Sequence, residues 1–212
     1  MDQINTEHML DVFAGLAAFF ADKRDFLIAL DGKVGDSDLG LTMSKAFAAA
    51  HEAVAAETEP AIATYLKDAG MAMAKAAPST MGTLMATGFL RASKALDGVD
   101  AIGTAEMAAF WRAYSDGVAQ RGKAKVGDKT VLDVLEPIAS SLETSAAQDL
   151  ALPQAMTKAV EAASDALENT KTMVAQHGKA AAFQEKSKGL QDAGATVGLF
   201  IIQSMTATVH AG

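Results

Sequence analysis

Apolar residues recur at three- and four-residue spacing through almost every stretch of this 212-residue chain, and short polar loops containing glycine cut the stretches apart. In the first stretch Met9, Leu10, Phe13, Leu16, Ala17 and Phe20 fall on one helical face, behind Thr6, which can cap it. No segment alternates apolar and polar residues at the period of two that a half-buried strand needs. Alanine, leucine, methionine, lysine and glutamate stand where a sheet protein would carry valine, isoleucine and tyrosine, and aromatic residues make up only 6%. The expected fold class is all-α.

After a short helix at 25–30, helical spacing resumes over 41–57, 60–78, 84–96, 105–120, 131–142, 153–176 and from 192 onward. Pro60 would open the second of these long stretches from its first turn. No repeat, linker or charge block marks a boundary, so residues 1–212 are expected as a single domain, a barrel or bundle of about eight antiparallel helices. Alternate loops of such a bundle share one end. Those beginning near residues 31, 78, 121 and 186 should therefore meet.

Several function classes drop out. With no cysteine, disulfides, thiolate metal sites and cysteine nucleophiles are excluded. The net charge of -8 and the scattered basic residues speak against nucleic acid as a partner. The first residues lack a basic leader and no apolar run approaches the roughly 20 residues of a membrane span, so a cytoplasmic protein without membrane contact is expected. His8, His51, His177 and His210 lie far apart, none in a recognisable spacing with the acidic loop described next, which leaves a zinc or Ser-His-Asp site unsupported.

The segment Asp31-Gly32-Lys33-Val34-Gly35-Asp36-Ser37-Asp38-Leu39-Gly40 must be a loop, since a helix interior tolerates so many glycines and aspartates poorly. Three carboxylates this close repel unless a positive charge sits among them. Hard oxygen ligands suit Mg2+, which takes a few carboxylates and completes its shell with water and phosphate oxygens. The competing reading makes the three aspartates turn and cap residues. An EF-hand counted from Asp36 fails, because Leu41 and Phe47 occupy the positions that need glycine and glutamate. Gly122 to Thr130 is no Walker A loop, since Asp128 intrudes before Lys129 and no strand precedes it, and Rossmann glycine spacing is absent. Asp192-Ala193-Gly194-Ala195-Thr196 begins the last helix with free backbone donors and small side chains that permit close approach of a phosphate or ribose, but by itself it reads better as an ordinary Asp-capped helix packed through Gly194 and Ala195.

With Gly35-Asp36-Ser37-Asp38-Leu39-Gly40-Leu41-Thr42-Met43 in place, the sequence resembles the nucleotide-binding L subunits of bacterial dihydroxyacetone kinases. Arg121-Gly122-Lys123-Ala124 with Gly127-Asp128-Lys129-Thr130, Glu185-Lys186-Ser187 with Gly189, and Asp192-Ala193-Gly194-Ala195 follow in the family's order and spacing. The resemblance spans nearly the whole chain. It implies a barrel of about eight antiparallel helices that binds ATP or ADP at one end through two Mg2+ ions. Asp31, Asp36 and Asp38 would be the metal ligands and the residues central to catalysis. Leu39, Thr42, Thr80, Met81 and Gly82 would lie along the phosphates and ribose, Gly122 and Val131 would border the adenine, and Lys179, Asp192 and Gly194 would close the remaining side. The implied reaction transfers a phosphoryl group to dihydroxyacetone, or a short-chain ketose such as erythrulose, held on a separate K subunit. The donor is exchanging ATP in some family systems and a phosphotransferase-system protein that recharges bound ADP in others. A non-catalytic ADP sensor that contacts a regulatory protein is the alternative reading, and a homodimer is compatible with these helix faces.

The chain departs from the family's usual pattern at named positions. Leu39 replaces a histidine, Thr42 an asparagine, Lys179 an arginine and Ala193 a proline, and the glycine-rich phosphate loop reads Pro78-Ser79-Thr80-Met81-Gly82. Fewer glycines limit how closely backbone can approach a phosphate, and Met81 adds bulk. These changes suggest a divergent subgroup.

Overall fold

A computed structural model describes residues 1–58 and 61–212. Pro60, expected to open a helix, lies outside the described residues. The described residues form α1 (Thr6–Asp22), α2 (Arg24–Asp31), α3 (Leu39–Ala56), α4 (Ile62–Ala76), α5 (Thr80–Ala95), α6 (Thr104–Gly122), α7 (Leu132–Ala147), α8 (Leu152–Asn169) and α9 (Ala193–Ala211). Going round the molecule, α1 packs on α3, each helix from α3 to α8 packs on the next, and α9 returns to α1. The long helices thus close an eight-membered antiparallel barrel, with the short α2 laid against α3.

The termini of these helices follow local chemistry. Asn5, one residue before the expected Thr6, caps α1 by accepting from the N–H groups of Glu7 and His8. α5 starts at Thr80, four residues earlier than the apolar pattern suggests, because Ser79 Oγ accepts the Gly82 N–H at 3.0 Å. α8 stops at Asn169 instead of continuing to 176; a short 3-10 turn at Thr170–Thr172 and an irregular segment follow, then a 3-10 stretch over Lys179–Ser187. The only extended pairing among the described residues is a two-residue antiparallel ladder, β1 (Ile4–Asn5) with β2 (Ala101–Ile102), too short to leave an alternation in the sequence.

The core runs through the middle of the barrel. Phe20 stacks on Phe47 with ring centroids 4.2 Å apart, and Phe89 meets Phe13, Phe47, Phe110 and Tyr114 in tilted or edge-on contacts. Gly88 makes the α5–α6 approach possible: a Cβ there would come within 2.4 Å of the Tyr114 ring. On the outer surface Arg112 of α6 reaches Glu136 at 2.6 Å and Glu143 at 2.8 Å, both on α7. The Arg112 guanidinium holds both carboxyls below their usual range. No helix among the described residues is long and apolar enough to cross a membrane.

Candidate functional site

The connections α2–α3, α4–α5, α6–α7 and α8–α9 lie at one end of the barrel, and residues from all four line one cavity of about 350 Å³. That volume suits a small organic ligand. The acidic wall comes from the first connection. Asp31, Asp36 and Asp38 each offer a carboxylate oxygen within 4.8 Å of the other two. The loop folds back on itself through the Asp38 N–H, which donates to Asp31 Oδ2 at 3.1 Å. Ser37 takes the left-handed conformation at φ 64°. Gly35 is required for another reason: a Cβ at this position would fall 2.1 Å from Asp31 Oδ1. The loop is built so that three carboxylates converge.

This donor set fits Mg2+. Oxygens sharing one such ion at about 2.0–2.1 Å stand roughly 3–4 Å apart, within reach of small rotamer changes here, and hard carboxylates are its preferred side-chain ligands.

The opposite walls are cationic and polar. Lys179 of the α8–α9 connection extends to Asp36 and forms an ion pair with it. Lys129 is 2% exposed, and its ammonium donates to the carbonyls of Met173 at 3.2 Å, Leu190 at 2.8 Å and Ser187. Burial lowers its pKa, an effect opposed by the nearby Asp192 carboxylate. One side chain thereby stitches the irregular 173–190 segment to the α6–α7 loop. Ser187 reinforces the stitch by accepting the Ala175 N–H at 3.0 Å.

Asp192 caps α9 as expected, accepting the Ala195 N–H at 2.6 Å. Burial pushes its carboxyl up to about 6, although the Ala195 N–H and Lys129 favour the ionised form. Asp128 goes the other way. The Lys125 N–H, at 2.9 Å, and then His177 hold its carboxyl below the usual range.

Of the residues expected to bind nucleotide, Leu39, Thr42, Thr80, Met81, Val131, Lys179, Asp192 and Gly194 line the cavity beside the three aspartates. Gly82 and Gly122 do not. Gly82 sits in the first turn of α5, where its N–H serves the Ser79 cap, and Gly122 lies beside Leu84, which does line the cavity and which a Cβ at Gly122 would meet at 3.4 Å. His177, Lys129 and Thr130 are also cavity residues. Spacing along the chain gave no reason to place His177 here, because it lies 139 positions after Asp38 and only barrel closure brings both to one cavity. Its one sequence signal is its place two residues before Lys179.

Residues 33–207 match the family model described as the DAK2 domain. The chain is 36% identical over 186 residues to the "PEP-dependent dihydroxyacetone kinase, ADP-binding subunit DhaL" of Escherichia coli, covering 88% of this chain and 89% of that one. It is 32% identical over 186 residues to the "D-erythrulose kinase" of Mycolicibacterium smegmatis, covering 87% of this chain but 32% of that longer protein. The crystal structure of the C. freundii dihydroxyacetone kinase in complex with AMP-PNP and Mg2+ superposes with a TM-score of 0.71 at 23% identity, over 94% of this chain and 33% of that one, which is a likeness of fold. On the family match and the extent of identity, this chain belongs to the DAK2 domain family, as a relative of the ADP-binding subunits of dihydroxyacetone kinases.

Proposed function

We propose that this protein is the nucleotide-binding half of a two-part ketose kinase. The observation that carries the reading is the convergence of Asp31, Asp36 and Asp38 on a cavity whose other walls present Lys179 and the N-terminus of α9. Three carboxylates cannot receive an anionic phosphate chain by themselves. Mg2+, two ions in this proposal, would neutralise them and stabilise charge developing on the transferred phosphoryl group.

The chain's own residues then divide the work. The aspartates fix the metal end, Thr42, Thr80 and the Met81 backbone follow the phosphates and ribose, and Val131 flanks the base. Asp192 and Gly194 close the far side, where the first N–H groups of α9 favour negative charge. Gly82 and Gly122 act indirectly, through the α5 cap and through Leu84. No side chain here serves as a covalent nucleophile; phosphoryl transfer asks mainly for positioning.

The acceptor would be dihydroxyacetone or a related short-chain ketose such as erythrulose, presented by a separate K-type subunit. The dihydroxyacetone and erythrulose kinases among the relatives support that substrate class. Leu39 and the Pro78–Gly82 segment, whose last three residues open α5, offer fewer polar and close backbone contacts to phosphate, which favours ATP or ADP that exchanges over a permanently held coenzyme recharged by a phosphotransferase-system protein.

The test is a melting curve with ADP or ATP, with and without Mg2+. Ligand in large excess should stabilise the protein by roughly 3 kcal/mol only when Mg2+ is present, and Asp36→Ala should lose the effect. Addition of a K-type subunit, ATP and either ketose should then yield the ketose phosphate. A magnesium-independent response, or none, overturns the metal–nucleotide reading; binding without transfer to either ketose leaves the ADP sensor.

A further inference from the structure

His177 belongs to no motif, yet it is the one aromatic ring among the described residues that line the cavity. Its neighbours hold it in place. Nε2 stands 3.1 Å from Asp128 Oδ2, and the same oxygen accepts the Lys125 N–H at 2.9 Å. The Gln176 N–H donates to the Asp128 carbonyl at 3.0 Å, so the backbone just before His177 is tied to the same residue as its ring. Asp128 is 8% exposed, and an anchor so well enclosed gives the imidazole a defined position instead of a solvated one.

The direction of the chain says which part of a ligand this ring meets. From His177, fastened to the α6–α7 loop, the segment runs through Gly178 to Lys179, which pairs with Asp36 on the acidic wall. Its contact with Asp128 puts His177 on the α6–α7 side of the cavity, where Lys129, Thr130 and Val131 also line the wall, whereas the three aspartates come from the α2–α3 loop. A phosphate chain held at the aspartates would leave the nucleoside for the remaining walls, this one among them.

We infer that His177 is a nucleoside-contacting residue, its ring packed against the base and ribose of the bound nucleotide and held there by Asp128. The inference rests on the metal–nucleotide reading of the cavity proposed above. An aromatic face suits any purine, and a ring fixed before binding loses little freedom when the base arrives.

Calorimetric titration of the full chain with Mg-ADP and, separately, with Mg-pyrophosphate tests this. Pyrophosphate carries the metal-binding end and lacks the nucleoside. His177→Ala should weaken ADP about tenfold and leave pyrophosphate unchanged, whereas His177→Phe, which keeps a ring, should recover most of the loss. The ring is partly exposed, so neither variant removes core packing. Equal ADP affinity in the wild type and His177→Ala, or a parallel loss for both ligands, overturns the inference while the nucleotide site stands. Failure of the wild type to bind Mg-ADP overturns the site reading itself.

Discussion

Lys179 pairs with Asp36 across the cavity mouth, joining the α8–α9 connection to the acidic loop that precedes α3. The two side chains come from different loops, so the ion pair links the acidic loop to the segment that carries His177. Both partners are well exposed, at 62% and 41%, which keeps the pair weak and exchangeable.

That ammonium competes with a divalent cation for Asp36. Lys179→Met should tighten Mn2+ binding to the protein alone about two- to fivefold, the range expected when a solvent-screened pair is removed. Titration followed by electron paramagnetic resonance of Mn2+ reads this directly. Unchanged or weaker Mn2+ binding would show that Lys179 does not compete.

Gly35→Ala should weaken Mn2+ binding by roughly tenfold or more, because the new methyl group would occupy the place of Asp31 Oδ1. Asp31 would have to turn away from Asp36 and Asp38. The loop lies outside the main core, so the melting temperature should move little. Retained metal affinity would mean that the three carboxylates do not act together.

Lys129→Met should cost about 3 kcal/mol in a urea titration, since three carbonyls lose their donor in a site with little solvent. It should also open the 173–190 segment to limited proteolysis. Cleavage confined to that segment is the expected pattern. Stability and a cleavage map like those of the wild type would contradict the stitching role.

Asp192 supplies a pH dependence of known sign. Its carboxyl titrates near 6 in the folded protein against an ordinary value of 3.8, so the native state keeps the proton longer than the unfolded chain. The stability this contributes is complete below about 3.8 and is lost as pH rises through about 6. Asp192→Asn, which keeps an acceptor for the Ala195 N–H, should match the wild type near pH 4 and exceed it at pH 7 by on the order of 1–3 kcal/mol. Urea midpoints across that range check the difference; parallel curves would rule it out.

Much of the architecture is legible along the chain because helical packing has a local signature. Met9, Phe13, Leu16 and Phe20 are all buried on the face that their spacing indicates, whereas Leu10, expected on the same face, is exposed. Where a terminus moved, a local hydrogen bond outweighed the apolar pattern, as Ser79 does in starting α5 early. The end of α8 at Asn169 could not be read that way: the spacing read as helical runs on to residue 176, but Lys129 donates to the Met173 carbonyl, and Ser187 accepts the Ala175 N–H.

The sequence by itself determined the helices, the loops between them, and the grouping of Asp31, Asp36 and Asp38, since all of these depend on residues within a few positions of one another. It also determined that four loops could share one end. Only the closed barrel decided which side chains in those loops face the same space. It brought Lys179 to Asp36, placed His177 on Asp128, and put Gly122 beside Leu84 instead of on the cavity wall. Such meetings depend on how helices of particular length and thickness pack around a ring, and spacing along a chain carries no record of distances across it.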